Sequence, residues 1–286
     1  MTLNSNEYKE LKEFISNSRI DYKEQWKIDS TTINNRGHYD WMASFITSHN
    51  FVLEIGTGTG YSTLKLLDNG HKVIGIDENL ECLIEAYELL TSQGKNVTLI
   101  TRENLSSELN SSKYIINYSS FDIDINQYDG ILIEADILNK KDEFLSSWLN
   151  SLGGFDAIVC WLIGSHSARP FNESIPAWVK DNPFYYRISV QNEVYELADI
   201  ILKNNGLLHL VDRSPEINEK IKEEIIKSHK EQASVTTLEF ISIDTIDYGL
   251  IDTNGVGMVS VNYLEKSTDI DYPESQFLTS ILNKKP

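Results

Sequence analysis

The stretch Phe51-Val52-Leu53-Glu54-Ile55-Gly56-Thr57-Gly58-Thr59-Gly60-Tyr61 limits the possible folds more than any other part of the chain. Five mostly apolar residues run into three glycines at every second position. An apolar run that short, followed by glycines and then a helical pattern, reads as a buried parallel strand turning into a helix. Glycine suits the turn because it lacks a Cβ, which lets the backbone approach a neighbour or a ligand closely. The free N–H groups at the helix start then face whatever lies beyond the strand. An α/β plan with a ligand cleft at the carboxyl end of this strand is the expectation.

The glycine spacing narrows the ligand. A dinucleotide fingerprint needs Gly-x-Gly-x-x-Gly, with the third glycine next to the pyrophosphate. Here that position is Tyr61, and the third glycine arrives one residue early, at Gly60. Glu54 stands two residues before the first glycine. A carboxylate aimed at the turn disfavours a pyrophosphate and suits a ligand with an ammonium group. A tight turn without a ligand is the plainer alternative, and three spaced glycines argue against it. The pattern resembles the first motif of class I S-adenosylmethionine-dependent methyltransferases. The resemblance implies S-adenosylmethionine as cofactor, with Glu54, Gly56, Thr57, Gly58, Gly60 and Tyr61 around it.

Composition excludes several classes. With 286 residues, 41% hydrophobic and 24% charged, the chain is an ordinary globular sequence with enough length for one large core. No apolar run approaches a membrane span, and the first residues lack the pattern of a secretion signal. Cys82 and Cys160 fall in an expected helix and an expected buried strand, which fits reduced thiols and a cytoplasmic location. A net charge of −18 repels phosphate backbones, so a small-molecule acceptor is expected rather than nucleic acid. The six histidines show no zinc spacing, and no metal is expected. Oligomeric state is not legible.

The periodicities give the organisation. Residues 1–50 read as a helical cover, with helices over 7–16 and 38–48 and a polar linker at 29–37. Strand, helix, strand and helix follow at 51–55, 61–67, 71–76 and 80–92, an order that implies parallel pairing through right-handed crossovers. Residues 97–101 and 114–117 read as strands, 130–134 as a strand, 141–150 as a helix and 157–161 as a strand. The third core strand is taken as 130–134, which makes about 96–127 an insertion. About 162–186, with three prolines and several aromatics, reads as a lid or substrate segment. A helix over 190–203 and a strand over 207–211 follow. Ser214 and Pro215 suggest a cap for a helix running to about 230. Strands at 235–243 and 256–263 would pair antiparallel, and 265–286 reads as a tail. The expectation is a doubly wound, mostly parallel, seven-stranded Rossmann-like sheet with a C-terminal antiparallel pair, spanning 51–264. That too resembles the class I methyltransferase sheet.

Ligands of such sheets sit outside the carboxyl ends of the strands. Asp77, followed by Glu78, ends the second strand 17 positions after Gly60. The resemblance implies that Asp77 accepts from the ribose hydroxyls; an N-cap for the next helix is a compatible role. Asp136, followed by Ile137, matches the acid that the family places near the adenine amino group, with Glu103 as competitor. Cys160 and Trp161 end the strand of the fourth motif, where Trp161 would line the site. His166 has a side chain of suitable pKa for a general base, or serves as a structural loop histidine. Arg36, in the dense group with His38, Tyr39, Asp40 and Trp41, could pair with the methionine carboxylate. The function implied is methyl transfer from S-adenosylmethionine to an oxygen or nitrogen of a small molecule. Two alternatives stay open: an S-adenosylmethionine-binding regulatory protein without methyl transfer, and an NAD-dependent oxidoreductase, against which Tyr61 argues.

Overall fold

The computed structural model describes residues 5–107, 113–179, 183–214, 217–249, 254–256 and 276–286. Two helices come first, α1 (Ser5–Asn35) and α2 (His38–Ser44). Alternation follows: β1 (Phe51–Ile55), α3 (Tyr61–Asp68), β2 (Lys72–Asp77), α4 (Leu80–Ser92) and β3 (Val97–Ile100). Next come β4 (Glu103–Ser107), β5 (Tyr114–Tyr118), β6 (Gly130–Glu134), α5 (Glu143–Ser151) and β7 (Phe155–Trp161). The chain closes with α6 (Pro183–Ile201), β8 (Leu202–Ser214), α7 (Glu219–Ala233), β9 (Glu239–Gly249) and β10 (Gln276–Lys284).

Among the described residues, eight strands form one sheet in the order β3-β6-β2-β1-β7-β8-β10-β9. Neighbours from β3 to β8 run parallel, and β10 lies antiparallel between β8 and β9. The mostly parallel Rossmann-like plan with an antiparallel end is thus present. Side chains alternate between the faces with the period of two that a strand imposes. Leu53, Ile55, Ile74, Ile76, Ile131 and Ile133 join α5, α6 and α7 in one core. Val52, Val73, Leu132 and Val159 join α1, α2, α3 and α4 in the other. Both faces are therefore covered, which is why the central strands read as nearly continuous apolar runs.

Four expectations need correction. Among the described residues the sheet has eight strands rather than seven, because Val97–Ile100 pairs in parallel with β6 and extends the edge. The antiparallel hairpin β4–β5 stands apart as its own two-stranded sheet. The polar run at 29–35 is not a linker but the end of α1. Its weak helix formers are held by distant partners: Asp29 Oδ2 accepts from Arg213 Nη2 at 3.0 Å, and Ser30 Oγ meets Thr59 Oγ1 at 2.7 Å.

The supposed tail contributes β10, whose polar residues hid it. Thr279, Ser280 and Asn283 are buried, and they bond to Ser214 Oγ, to His209 Nε2 and to the Tyr195 hydroxyl. A strand inserted between two others needs such partners for every buried polar group. Finally, Ser214 ends β8, and the cap of α7 is Asn218, which accepts from Ile221 N at 3.0 Å. Of the strand expected at 256–263, only Val256 lies within the described residues.

Candidate functional site

The turn after β1 has the conformation its composition demands. Gly56, Gly58 and Gly60 all have positive φ, at 85°, 54° and 88°, a region that side chains with a Cβ rarely occupy. Gly60 also lets α3 lie against α4, since a Cβ there would meet Ala86 at 2.8 Å. Above the turn, a Cβ on Gly58 would meet the Trp26 indole nitrogen at 2.3 Å. The helical cover therefore closes directly over Gly58.

A cleft runs along the ends of β1, β2, β6 and β7, lined among others by Gly56, Gly58, Asp77, Glu78, Asp136 and Ile137. The sheet order places these residues together, because β2 sits between β1 and β6. Asp77 is anchored twice: its carboxylate accepts from Gly58 N at 2.8 Å and from Asn79 N at 2.9 Å. Burial, with Glu78 beside it, pushes the Asp77 carboxyl up to about 6 despite those bonds. The N-cap of α4 is Asn79, which accepts from Glu81 N at 3.1 Å. Asp136 caps its own turn, accepting from Leu138 N at 2.9 Å. Burial raises its carboxyl, against the pull of Arg169. Glu103, the competitor, is not part of the cleft lining; its carboxylate pairs with Arg19 Nη2 at 2.7 Å.

Several residues named from the sequence lie elsewhere. Arg36 is turned away, donating to the Tyr248 carbonyl and packing on Gly249 of β9. Cys160 is buried within β7 in the core beneath the cleft. Trp161 points to the opposite core and donates its Nε1 to His209 Nδ1 at 3.0 Å. Burial lowers His209 to about 3, which leaves its ring neutral and able to accept that bond. Thr57 is buried and Tyr61 half-buried, and neither borders the cleft.

Glu54 lies under the turn rather than in the cleft, where Thr63 Oγ1 donates to it at 2.5 Å. Burial raises its carboxyl to about 7, and Asp77 adds to the rise. Between the ordinary value of 4.5 and about 7, the folded chain holds a proton that the unfolded chain has lost. Stability attributable to Glu54 therefore declines as pH rises through that window, by on the order of 3 kcal/mol. In Glu54→Gln this decline is expected to vanish, so its melting temperature should change less than wild type between pH 5 and 7.5. Superimposable profiles for the two proteins would remove the assignment.

His166 is buried on the turn that follows β7, outside the cleft lining. Its Nε2 lies 3.2 Å from Glu78 Oε1, and its Nδ1 lies 3.2 Å from Ser18 Oγ. Both ring nitrogens thus have partners, and the ring helps hold the 165–171 turn against α1. Burial alone would raise the Glu78 carboxyl, but Arg169, His166 and Arg19 together hold it well below the usual carboxylate range.

Residues that sequence reasoning passed over complete the site. Tyr22 and Trp26 sit four apart on α1, one helical turn, and both line the cleft. That spacing was the available signal. Tyr186 and Arg169 come from the segment expected as a lid. Its described part is tied down, with Ala168 N donating to Ser18 Oγ at 2.7 Å and Glu173 N to the Tyr114 carbonyl at 2.7 Å. Leu162 turns the chain out of β7 with φ at 60°, a left-handed conformation unusual for leucine. Beyond Tyr22 and Tyr186 a second chamber opens, about 380 Å³ in volume, bordered also by Ser18, His166 and Arg169. Among the described residues no group of acidic, histidine or cysteine side chains could hold a metal ion. Nor is any described helix long and apolar enough to cross a membrane.

No family model matches the chain, and no curated protein matches it in sequence. Several solved structures are similar to it. One is a Bacillus halodurans protein provisionally named a methyltransferase, with 14% identity over 82% of this chain and 92% of that one, at a TM-score of 0.44. Another is TYW2 of M. jannaschii in complex with AdoMet, with 14% identity over 88% and 76%, at 0.45. A third, from Pyrococcus horikoshii, is provisionally named an RNA methyltransferase, with 12% identity over 88% and 83%, at 0.44. At such identities and TM-scores the likeness assigns no chemistry to this chain.

Proposed function

We propose that the protein binds S-adenosylmethionine in the cleft above the glycine turn and transfers its methyl group to an oxygen or nitrogen of a small molecule. The observation that carries this reading is the assembly of two left-handed glycines, Gly56 and Gly58, with the half-buried Asp77 and the buried Asp136 on one cleft. The residue chemistry fits the group. Asp77 offers acceptors for a vicinal diol, Asp136 an acceptor for an amino group on a purine, and Ile137 an apolar wall. The open space does not yet fit: the cleft encloses about 50 Å³, well under the roughly 300 Å³ of a ligand pocket. Trp26, Tyr22 and Arg169 would have to yield.

When bound, the cofactor supplies an electrophilic methyl on a sulfonium, and the protein's part is alignment and exclusion of water. Tyr22 and Tyr186 border both the cleft and the second chamber, so they can position an acceptor beside the cleft. The chamber's volume suits a small acceptor.

Calorimetry with S-adenosylmethionine and S-adenosylhomocysteine tests the cofactor, with binding of both expected. No heat from either ligand in a folded sample overturns the reading. Labelled methyl transfer to a panel of small alcohols, phenols and amines, with RNA included, tests the acceptor. Incorporation into RNA alone would overturn the small-molecule assignment.

A further inference from the structure

Glu78 and Asp136 stand at the ends of β2 and of the chain leaving β6, and both border the cleft. Neither carboxylate is available as it stands. Arg169 bridges them, with Nη1 2.7 Å from Glu78 Oε1 and Nη2 2.7 Å from Asp136 Oδ2. The guanidinium lies over the Tyr186 ring, 4.7 Å from its centre. All three charged side chains are shielded, with 3% of Arg169, 11% of Glu78 and 2% of Asp136 exposed.

The bridge is close but poorly aligned. Among the described residues, none of the three Arg169 side-chain nitrogens, nor Asp136 Oδ2, makes a hydrogen bond of acceptable geometry. Coulomb attraction and a bent hydrogen bond to Asp136 hold the ions, while the well-aligned bonds that would offset their desolvation are missing. A ligand that brings well-aligned donors to these carboxylates gains what the arginine forgoes. Arg169 has somewhere to go, because it already borders the chamber of about 380 Å³.

We infer that Arg169 is a built-in occupant of the cleft, and that a nucleoside-bearing ligand binds by displacing it from Asp136 and Glu78. The inference rests on the cofactor reading above. It makes Arg169 a residue that sets affinity and selectivity rather than one that touches reacting atoms. A closed form favoured tenfold over the open one lowers apparent affinity by about tenfold. A ligand without a donor for Asp136 cannot replace the arginine there, so purines lacking the amino group are disfavoured.

Hydrogen exchange on the wild-type protein gives the first test. The amides of Arg169, Phe171 and Asn172 donate to the carbonyls of His166, Ala168 and Arg169. Saturation with S-adenosylhomocysteine should speed their exchange while protecting the amides of the glycine turn. Unchanged or slower exchange at 169–172 in the saturated protein overturns the inference.

Calorimetry gives the second test. Arg169→Gln should bind S-adenosylhomocysteine about tenfold more tightly than wild type, and Arg169→Lys, which keeps the charge, should stay close to wild type. Equal or weaker binding by a folded Arg169→Gln overturns the inference. Should neither protein bind, the cofactor reading fails by itself, and ligand-free exchange decides the latch. Faster exchange at 169–172 in Arg169→Gln at an unchanged melting temperature supports a latch for another ligand, and unchanged exchange overturns it.

Discussion

Replacing Arg102 by methionine should destabilise the protein by roughly 3–5 kcal/mol, because it strands a buried carboxylate. At about 2–4 °C per kcal/mol for a chain of this size, the melting temperature should fall by on the order of 10 °C. Arg102 and Asp142 are paired through two parallel bonds of 2.7 and 2.8 Å, with only 1% and 3% of their side chains exposed. The remaining guanidinium nitrogen, Nε, donates to the Ser119 carbonyl at 2.8 Å. Rings of Tyr118, Phe121 and Phe144 surround the guanidinium. Asp142 also caps α5, accepting from Leu145 N at 3.3 Å. This pair fastens the chain between β3 and the hairpin to the start of α5. Thermal and urea unfolding measure the effect. Pairing Arg102→Met with Asp142→Leu should restore much of the loss, since the cost lies in the unpaired ion. A single-variant shift under 3 °C would show that the pair contributes little.

The second large effect is on ligand binding. In Asp77→Ala, affinity for S-adenosylmethionine should fall about 100-fold or more. Two hydrogen bonds from a diol to a half-buried carboxylate, at roughly 1.5–3 kcal/mol each, account for that loss. Asp77→Asn, which keeps one acceptor, should lie between. The same carboxyl sets a pH dependence. Its value of about 6 in the free protein means that the ligand, which needs the ionised form, should bind less tightly as pH falls below about 6. Calorimetry from pH 5 to 8 gives both results. Unaltered affinity in Asp77→Ala would refute the diol role, and a flat pH profile would refute the coupling.

Local chemistry made the glycine turn legible. An apolar run buried on both faces, three residues without a Cβ and a helix start can be combined in few ways. The stops of α3 and α4 were legible for the same reason: Gly70 and Gly94 adopt φ of 84° and 74° just beyond them. Asp77 and Asp136 could be proposed because each follows an apolar strand, and strand ends face the cleft. The resemblance points to Cys160 and Trp161 through the fourth motif, and to Arg36 through the segment before the first strand. Their side chains serve β9 and the two cores instead.

The sequence by itself determined the turn, the alternation of strands and helices from β1 to α4, and the acids at the strand ends. Each of these follows from a pattern within a few residues, where sterics and burial act on neighbours. Only the tertiary structure decided that α1 continues to Asn35, that 276–284 is an interior strand, and that Arg169 lies between Glu78 and Asp136. These depend on pairing polar groups far apart in the chain. A lone arginine or a threonine-rich strand carries no local sign of the partner that makes its burial tolerable.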